Sequence, residues 1–122
     1  MLRKFAAIAG VFALLATGTL AQTKGPNGGM LAGSGHHKAE LVVSSTELTI
    51  YLIEDGKPHD TTGTALRAIV QQAGKSKTIS LSDQGGKRLV GKLEAPLAKG
   101  AIVVVTGKDD HGGQLNARYV IP

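Results

Sequence analysis

No cysteine occurs in the 122-residue chain. That excludes disulfides, thiol nucleophiles, thiolate metal sites and thiol redox pairs, so an exported domain built from this sequence must rest on its apolar core alone. Any metal it binds takes imidazole, carboxylate, carbonyl, water or the thioether of Met30. Aromatic residues are nearly as scarce, with no tryptophan, two phenylalanines and two tyrosines. Phe5 and Phe12 fall in an N-terminal leader, which leaves Tyr51 and Tyr119. Two rings are too few for a base-stacking surface or an aromatic-lined ligand pocket. Basic residues exceed acidic ones without forming a block, so a nucleic-acid footprint is weak and the charge bears on solubility and surface association. No run after residue 21 is apolar and long enough to span a bilayer.

The leader itself is distinctive. Arg3 and Lys4 precede an apolar run from Phe5 to Leu15, and Thr19-Leu20-Ala21 places small residues at −3 and −1. This is the pattern of a secretory signal peptide over 1–21, cleaved before Gln22. The Ala-rich core suits a bacterial signal, so the mature chain is expected to be exported to the periplasm without spanning the membrane. Residues 22–122 are enough for one domain with a modest core.

Residues 22–35 carry Pro26, Asn27-Gly28-Gly29 and further glycines, and read as an extended arm with a tight turn. Over 36–122 the pattern is β. Strands are expected at 37–43, 47–53, 64–71, 76–82, 88–93, 101–106 and 114–121, where apolar residues alternate with polar ones or β-branched residues run together. The stretch 65–73 also matches a helical spacing through Leu66, Ile69, Val70 and Ala73, so strand and helix both remain open there. Turns fall at Ser44-Ser45-Thr46, Glu54 to Asp60, Gln72 to Lys75, Asp83 to Lys87 and Lys108 to Gly113. Seven short strands at such intervals are the pattern of an antiparallel, immunoglobulin-like β-sandwich.

The chemistry-bearing residues sit in these turns. If each strand reverses direction, His36 and His37 at the opening of the first strand, His59 after the second, and Asp109, Asp110 and His111 before the last all reach the same end. Imidazoles with carboxylates suit a divalent Cu, Zn or Ni ion, and without thiolates disfavour Cu(I). His36 and His37 would point to opposite faces within a strand, so one of the pair at most joins a given site. The plainer account is that Asp and Gly make turns and histidines sit in wet loops. The local spacing matches no zinc motif. Catalysis has no support: Asp110 beside His111 could orient a base, but Ser44, Ser45, Ser80 and Ser82 lie mostly toward the other end.

Two stretches add a resemblance. Gly25-Pro26-Asn27-Gly28-Gly29-Met30-Leu31 and Tyr51-Leu52-Ile53-Glu54-Asp55-Gly56-Lys57-Pro58 resemble the G-P-H-G-G-x-L and Y-L-x-x-D-G-K-P segments of a small periplasmic domain found in heavy-metal efflux (RND-type) adaptor proteins. The resemblance implies a β-sandwich, a place near transition-metal export and histidine ligands. Asn27 stands where that family often has histidine, and the helical hairpin and barrel of a full adaptor are not in the sequence. The leading expectation is therefore a non-enzymatic periplasmic metal-binding protein, with a metal efflux complex or another envelope protein as partner. The alternative is a metal-independent protein-interaction module docking through a strand edge.

Overall fold

The structure, a computed structural model, describes residues 22–122. The expected signal peptide over 1–21 lies outside the described residues. Among the described residues the fold is all-β, with eleven strands, antiparallel pairing throughout and no helix. The strands are β1 (Thr23–Lys24), β2 (Met30–Ser34), β3 (His37–Val43), β4 (Glu47–Glu54), β5 (Lys57–His59), β6 (Ala65–Gln72), β7 (Lys75–Ser80), β8 (Ser82–Gln84), β9 (Arg88–Lys92), β10 (Ile102–Lys108) and β11 (Gln114–Val120). One sheet runs β1-β2-β3-β4-β9-β8, with β5 also paired to β4, and the other runs β11-β10-β6-β7. No helix among the described residues is long and apolar enough to cross a membrane.

Period-two alternation builds the two inner faces. In β11, Leu115, Ala117 and Tyr119 are buried while Gln114, Asn116 and Arg118 are exposed. In β6, Leu66, Ala68 and Val70 are buried and Ala65 and Arg67 exposed, so the stretch left open between strand and helix is a strand. Leu48, Ile50 and Leu52 of β4 face Val103 and Val105 of β10 in one continuous core. Tyr119 is fully buried, and its hydroxyl donates to the Ala39 carbonyl at 2.6 Å, tying β11 to the opposite sheet. Burial and the nearby Glu40 carboxylate push that hydroxyl's pKa well above its ordinary value, so it remains a donor.

The seven expected strands correspond to β3, β4, β6, β7, β9, β10 and β11. Four more, β1, β2, β5 and β8, lie where the sequence reads as arm or turn. The arm over 22–35 is thus not merely extended: β2 pairs with β3 along five residues. β5 contains Pro58, which is tolerated because β5 pairs on one side only, against β4.

What holds the arm is Glu40. Its neighbours Ala39 and Leu41 face the core, so Glu40 points to the outer face, yet it is fully buried beneath the Gly25–Gly29 turn. Its carboxylate accepts from the Asn27 amide N–H at 2.8 Å, the Asn27 side-chain amide at 2.9 Å and the Gly29 N–H at 2.8 Å. The motif Gly25-Pro26-Asn27-Gly28-Gly29 is a cradle for this carboxylate, and Asn27 is spent on it. At Gly25 an added Cβ would lie 2.3 Å from the Glu40 side chain.

Replacing Glu40 by Ala leaves these donors without their acceptor. We expect a loss of about 3 kcal/mol in urea unfolding, with amide exchange at Asn27 and Gly29 accelerating before that of the core. Asn27→Ala, which deletes only the side-chain donor, should cost about 1 kcal/mol. Equal protection of those amides in Glu40→Ala and the parent chain would show that the cradle does not hold the arm.

Candidate functional site

Sheet register carries three polar side chains past the end of the core. Ala39 pairs with Leu52 and Leu41 with Ile50, all facing inward. Two residues further on, His37 pairs with Glu54, so both continue the same inner face at the rim of the sandwich. After Glu54 the chain reverses through Asp55 (φ 51°) and Gly56 (φ 77°), a pair of left-handed residues that makes a two-residue hairpin. Lys57 then pairs with Glu54 and His59 with Leu52, which puts His59 on that inner face beside Glu54.

The opposite sheet supplies the β10–β11 turn. Gly107 adopts φ 148°, and a Cβ there would lie 2.0 Å from the Ala65 carbonyl oxygen, so only glycine permits this approach to β6. Asp109 closes the turn. Its N–H donates to the Gly113 carbonyl at 2.8 Å, and its Oδ1 accepts from the N–H groups of His111 at 3.0 Å and Gly113 at 2.7 Å.

Imidazoles and carboxylates meet across this rim. His59 Nδ1 lies 2.8 Å from Glu54 Oε2, and His59 Nε2 lies 3.3 Å from Asp110 Oδ1. His111 Nε2 is 3.8 Å from the same Asp110 oxygen, and the His59 and His111 rings are 6.4 Å apart at their centroids. His37 Nδ1 stands 3.9 Å from both Glu54 Oε1 and Asp109 Oδ2. His59, Asp110 and His111 each offer a ligand atom, and these atoms all lie within 4.8 Å of one another. Tetrahedral ligands about 2.1 Å from a Zn-sized ion are about 3.4 Å apart, so the two measured separations from Asp110 Oδ1 fit such an ion with small adjustment. The donor set of two imidazole nitrogens and one carboxylate oxygen also fits Cu(II), Zn(II) or Ni(II).

The six residues singled out in the sequence do not behave alike. His59, Asp110 and His111 form the compact group, graded from a His59 side chain 26 % exposed to a His111 side chain 74 % exposed. His37 lies on the inner face one carboxylate away. His36 is in the β2–β3 turn, outside the sheet, and its Nδ1 pairs with Asp55 at 2.5 Å, apart from the group. Asp109 has one oxygen committed to its own turn. The Gly113 N–H, followed by the His111 N–H and the charges of His37 and His111, holds its carboxyl below the usual range against the opposing effect of partial burial.

Two participants were not read from the sequence. Glu54, taken there as part of a loop, is the last residue of β4 and touches His59. Thr64 has a buried hydroxyl with no hydrogen-bond partner, and it lines a cleft of about 20 Å³ together with His37, Glu54, His59 and Asp109. That volume holds one water or one small ion.

Asp109→Ala should loosen the β10–β11 turn and cost about 1–2 kcal/mol in thermal or urea unfolding. Because the folded Asp109 carboxyl is lowered, its stabilisation is present above the ordinary carboxylate range and is lost as pH falls through the folded value. The acid side of the stability profile should therefore flatten in Asp109→Ala relative to the parent chain; an unchanged profile would remove Asp109 from the turn's support.

Compared with known proteins, the chain matches no family model, no curated protein and no solved structure.

Proposed function

We propose that this chain is a periplasmic, non-enzymatic protein that binds one divalent transition metal at the rim of its sandwich, in connection with heavy-metal efflux or resistance. The observation that carries the reading is the convergence of His59, Asp110 and His111, whose ligand atoms lie within 4.8 Å of one another, with His59 Nε2 and His111 Nε2 at 3.3 and 3.8 Å from Asp110 Oδ1, contributed by β5 of one sheet and the β10–β11 turn of the other. His59 and the Asp110–His111 pair would hold the ion, with His37 and Asp109 next to them and His36 outside the ligand set. In this role the bound ion is cargo to be buffered, sensed or delivered. With His111 exposed, one side of the group faces solvent, which suits exchange with another molecule more than permanent structural retention.

The export route rests on the leader over 1–21, and the efflux context rests on the resemblance of the 25–31 and 51–58 segments. The scaffold is read as immunoglobulin-like. With β1, β2 and β5 set aside, the sheets run β3-β4-β9-β8 and β11-β10-β6-β7. That follows the four-strand and three-strand order of such sandwiches, with β7 as the added neighbour.

Calorimetric titration of Cu(II), Zn(II) and Ni(II) into the mature chain tests the proposal. Binding of one equivalent is expected, weakened by at least about tenfold in His59→Ala and in His111→Ala. His36→Ala should stay within about twofold of the parent, because its imidazole sits with Asp55. Bound metal should also raise the unfolding temperature, with the logarithm of free metal concentration once that exceeds the dissociation constant. Affinity no better than that of an unstructured histidine-containing peptide would reject metal binding and favour a metal-independent interaction module.

A further inference from the structure

We infer that Gln22 is a modification site: once the leader is cleaved, its α-amine closes on its own side-chain amide and leaves a pyroglutamyl terminus docked on β11. The inference rests on cleavage before Gln22, one part of the proposed reading, and is independent of metal binding.

The two ends of the described chain meet at this residue. Gln22 precedes β1, whose Thr23 and Lys24 pair with Leu31 and Met30 of β2, and the Gly25–Gly29 turn beyond them is held by Glu40. The backbone is therefore fixed one residue after Gln22. Its side chain is fixed as well: Oε1 accepts from the Val120 N–H at 2.9 Å, across 98 residues of sequence. β11 is an edge strand, and Val120 is its last residue. The next N–H, of Ile121, donates inward to the Ala101 carbonyl, whereas that of Val120 turns to the free edge and meets Gln22.

That hydrogen bond lies where charge develops. Attack of the neutral amine nitrogen on Cδ forms the N–Cδ bond and sends the carbonyl electron pair to Oε1, the atom that the Val120 N–H already contacts. One amine proton passes to Nε2 through solvent, the Cδ–Nε2 bond breaks and ammonia leaves, so atoms and charge balance with no other reactant. A backbone N–H aimed at a developing oxyanion lowers the barrier of acyl transfer. Attack within one residue also needs no bimolecular encounter. An α-amine ordinarily titrates at about 7.7–8.0, so near pH 8 a large share of it is the neutral nucleophile. The product keeps the contact, because the lactam carbonyl is the same Cδ–Oε1 group. It carries no α-ammonium charge, and the exported chain end is sealed against exopeptidases that need a free amine.

Ammonia loss is followed by intact mass at about pH 8. A fusion cleaved so that the mature chain begins at Gln22 supplies the material without the leader. The folded chain should become lighter by one ammonia, at a rate at least about tenfold that of the same chain in urea or of a peptide of residues 22–30. Val120→Pro removes the outward N–H at an edge position that tolerates proline, and should fall to the unfolded rate. The Val120 amide of the parent should stay protected from hydrogen exchange after the ammonia is lost. A folded chain no faster than the peptide would overturn the inference, and that comparison stands even if Val120→Pro fails to fold. The chain exported with its own leader should carry the same lactam at residue 22. An exported chain with an open glutamine there would sink the modification alone. One that begins at another residue would sink cleavage before Gln22 too, the export boundary on which the inference rests.

Discussion

The register of β3, β4 and β5 is the constraint on which the rest of this structure depends. Side chains on a strand alternate between faces, so the pairing that buries Ala39 against Leu52 also delivers His37 and Glu54 to the inner face beyond them. The hairpin at Asp55-Gly56 then adds His59 in step with Leu52. A slip of one residue would turn Leu48, Ile50 and Leu52 to solvent together with the polar rim. Core burial, worth about 2 kcal/mol for each fully buried large aliphatic side chain, therefore protects the placement of the site. Fold and rim are specified by the same alternation.

The second sheet contributes less stiffly. The β10–β11 turn depends on Gly107 for its approach to β6 and on Asp109 for its closure. Asp110 and His111 ride on that turn with greater exposure than His59. A site assembled from one rigid hairpin and one exposed turn has an anchored half and an adjustable half. That division would suit the proposed cargo ion, which has to enter and leave. Glu40 plays no part at this rim; its buried carboxylate organises the N-terminal turn and lets β2 extend the larger sheet.

Much of the scaffold was legible in the residues. Alternation in 37–43, 47–53 and 114–121 marks strands directly, and the continuous β-branched run at 102–105 marks a central one. Besides the two-residue β1, the elements that escaped are those whose residues disfavour strands in isolation: Gly33 in β2, Pro58 in β5 and the polar Ser82-Asp83-Gln84 of β8. Each is a strand because a stronger neighbour offers it an edge. Glu54 escaped for a related reason. Read as a loop, Glu54 to Asp60 has no faces; read as a two-residue hairpin around Asp55-Gly56, it places Glu54 and His59 side by side.

Sequence alone determined that all four histidines could reach one end of a sheet fold, because strand reversals are counted along the chain and turn residues announce themselves locally. It also determined which ligand chemistries were open, since the absence of cysteine is a property of composition. Only the tertiary structure decided that His36 turns aside to Asp55 while His37 faces inward, that Asp109 is spent on its own turn, and that Glu54 stands against His59. Those outcomes depend on registers between strands and on the approach of two sheets, distances that no local pattern of residues encodes.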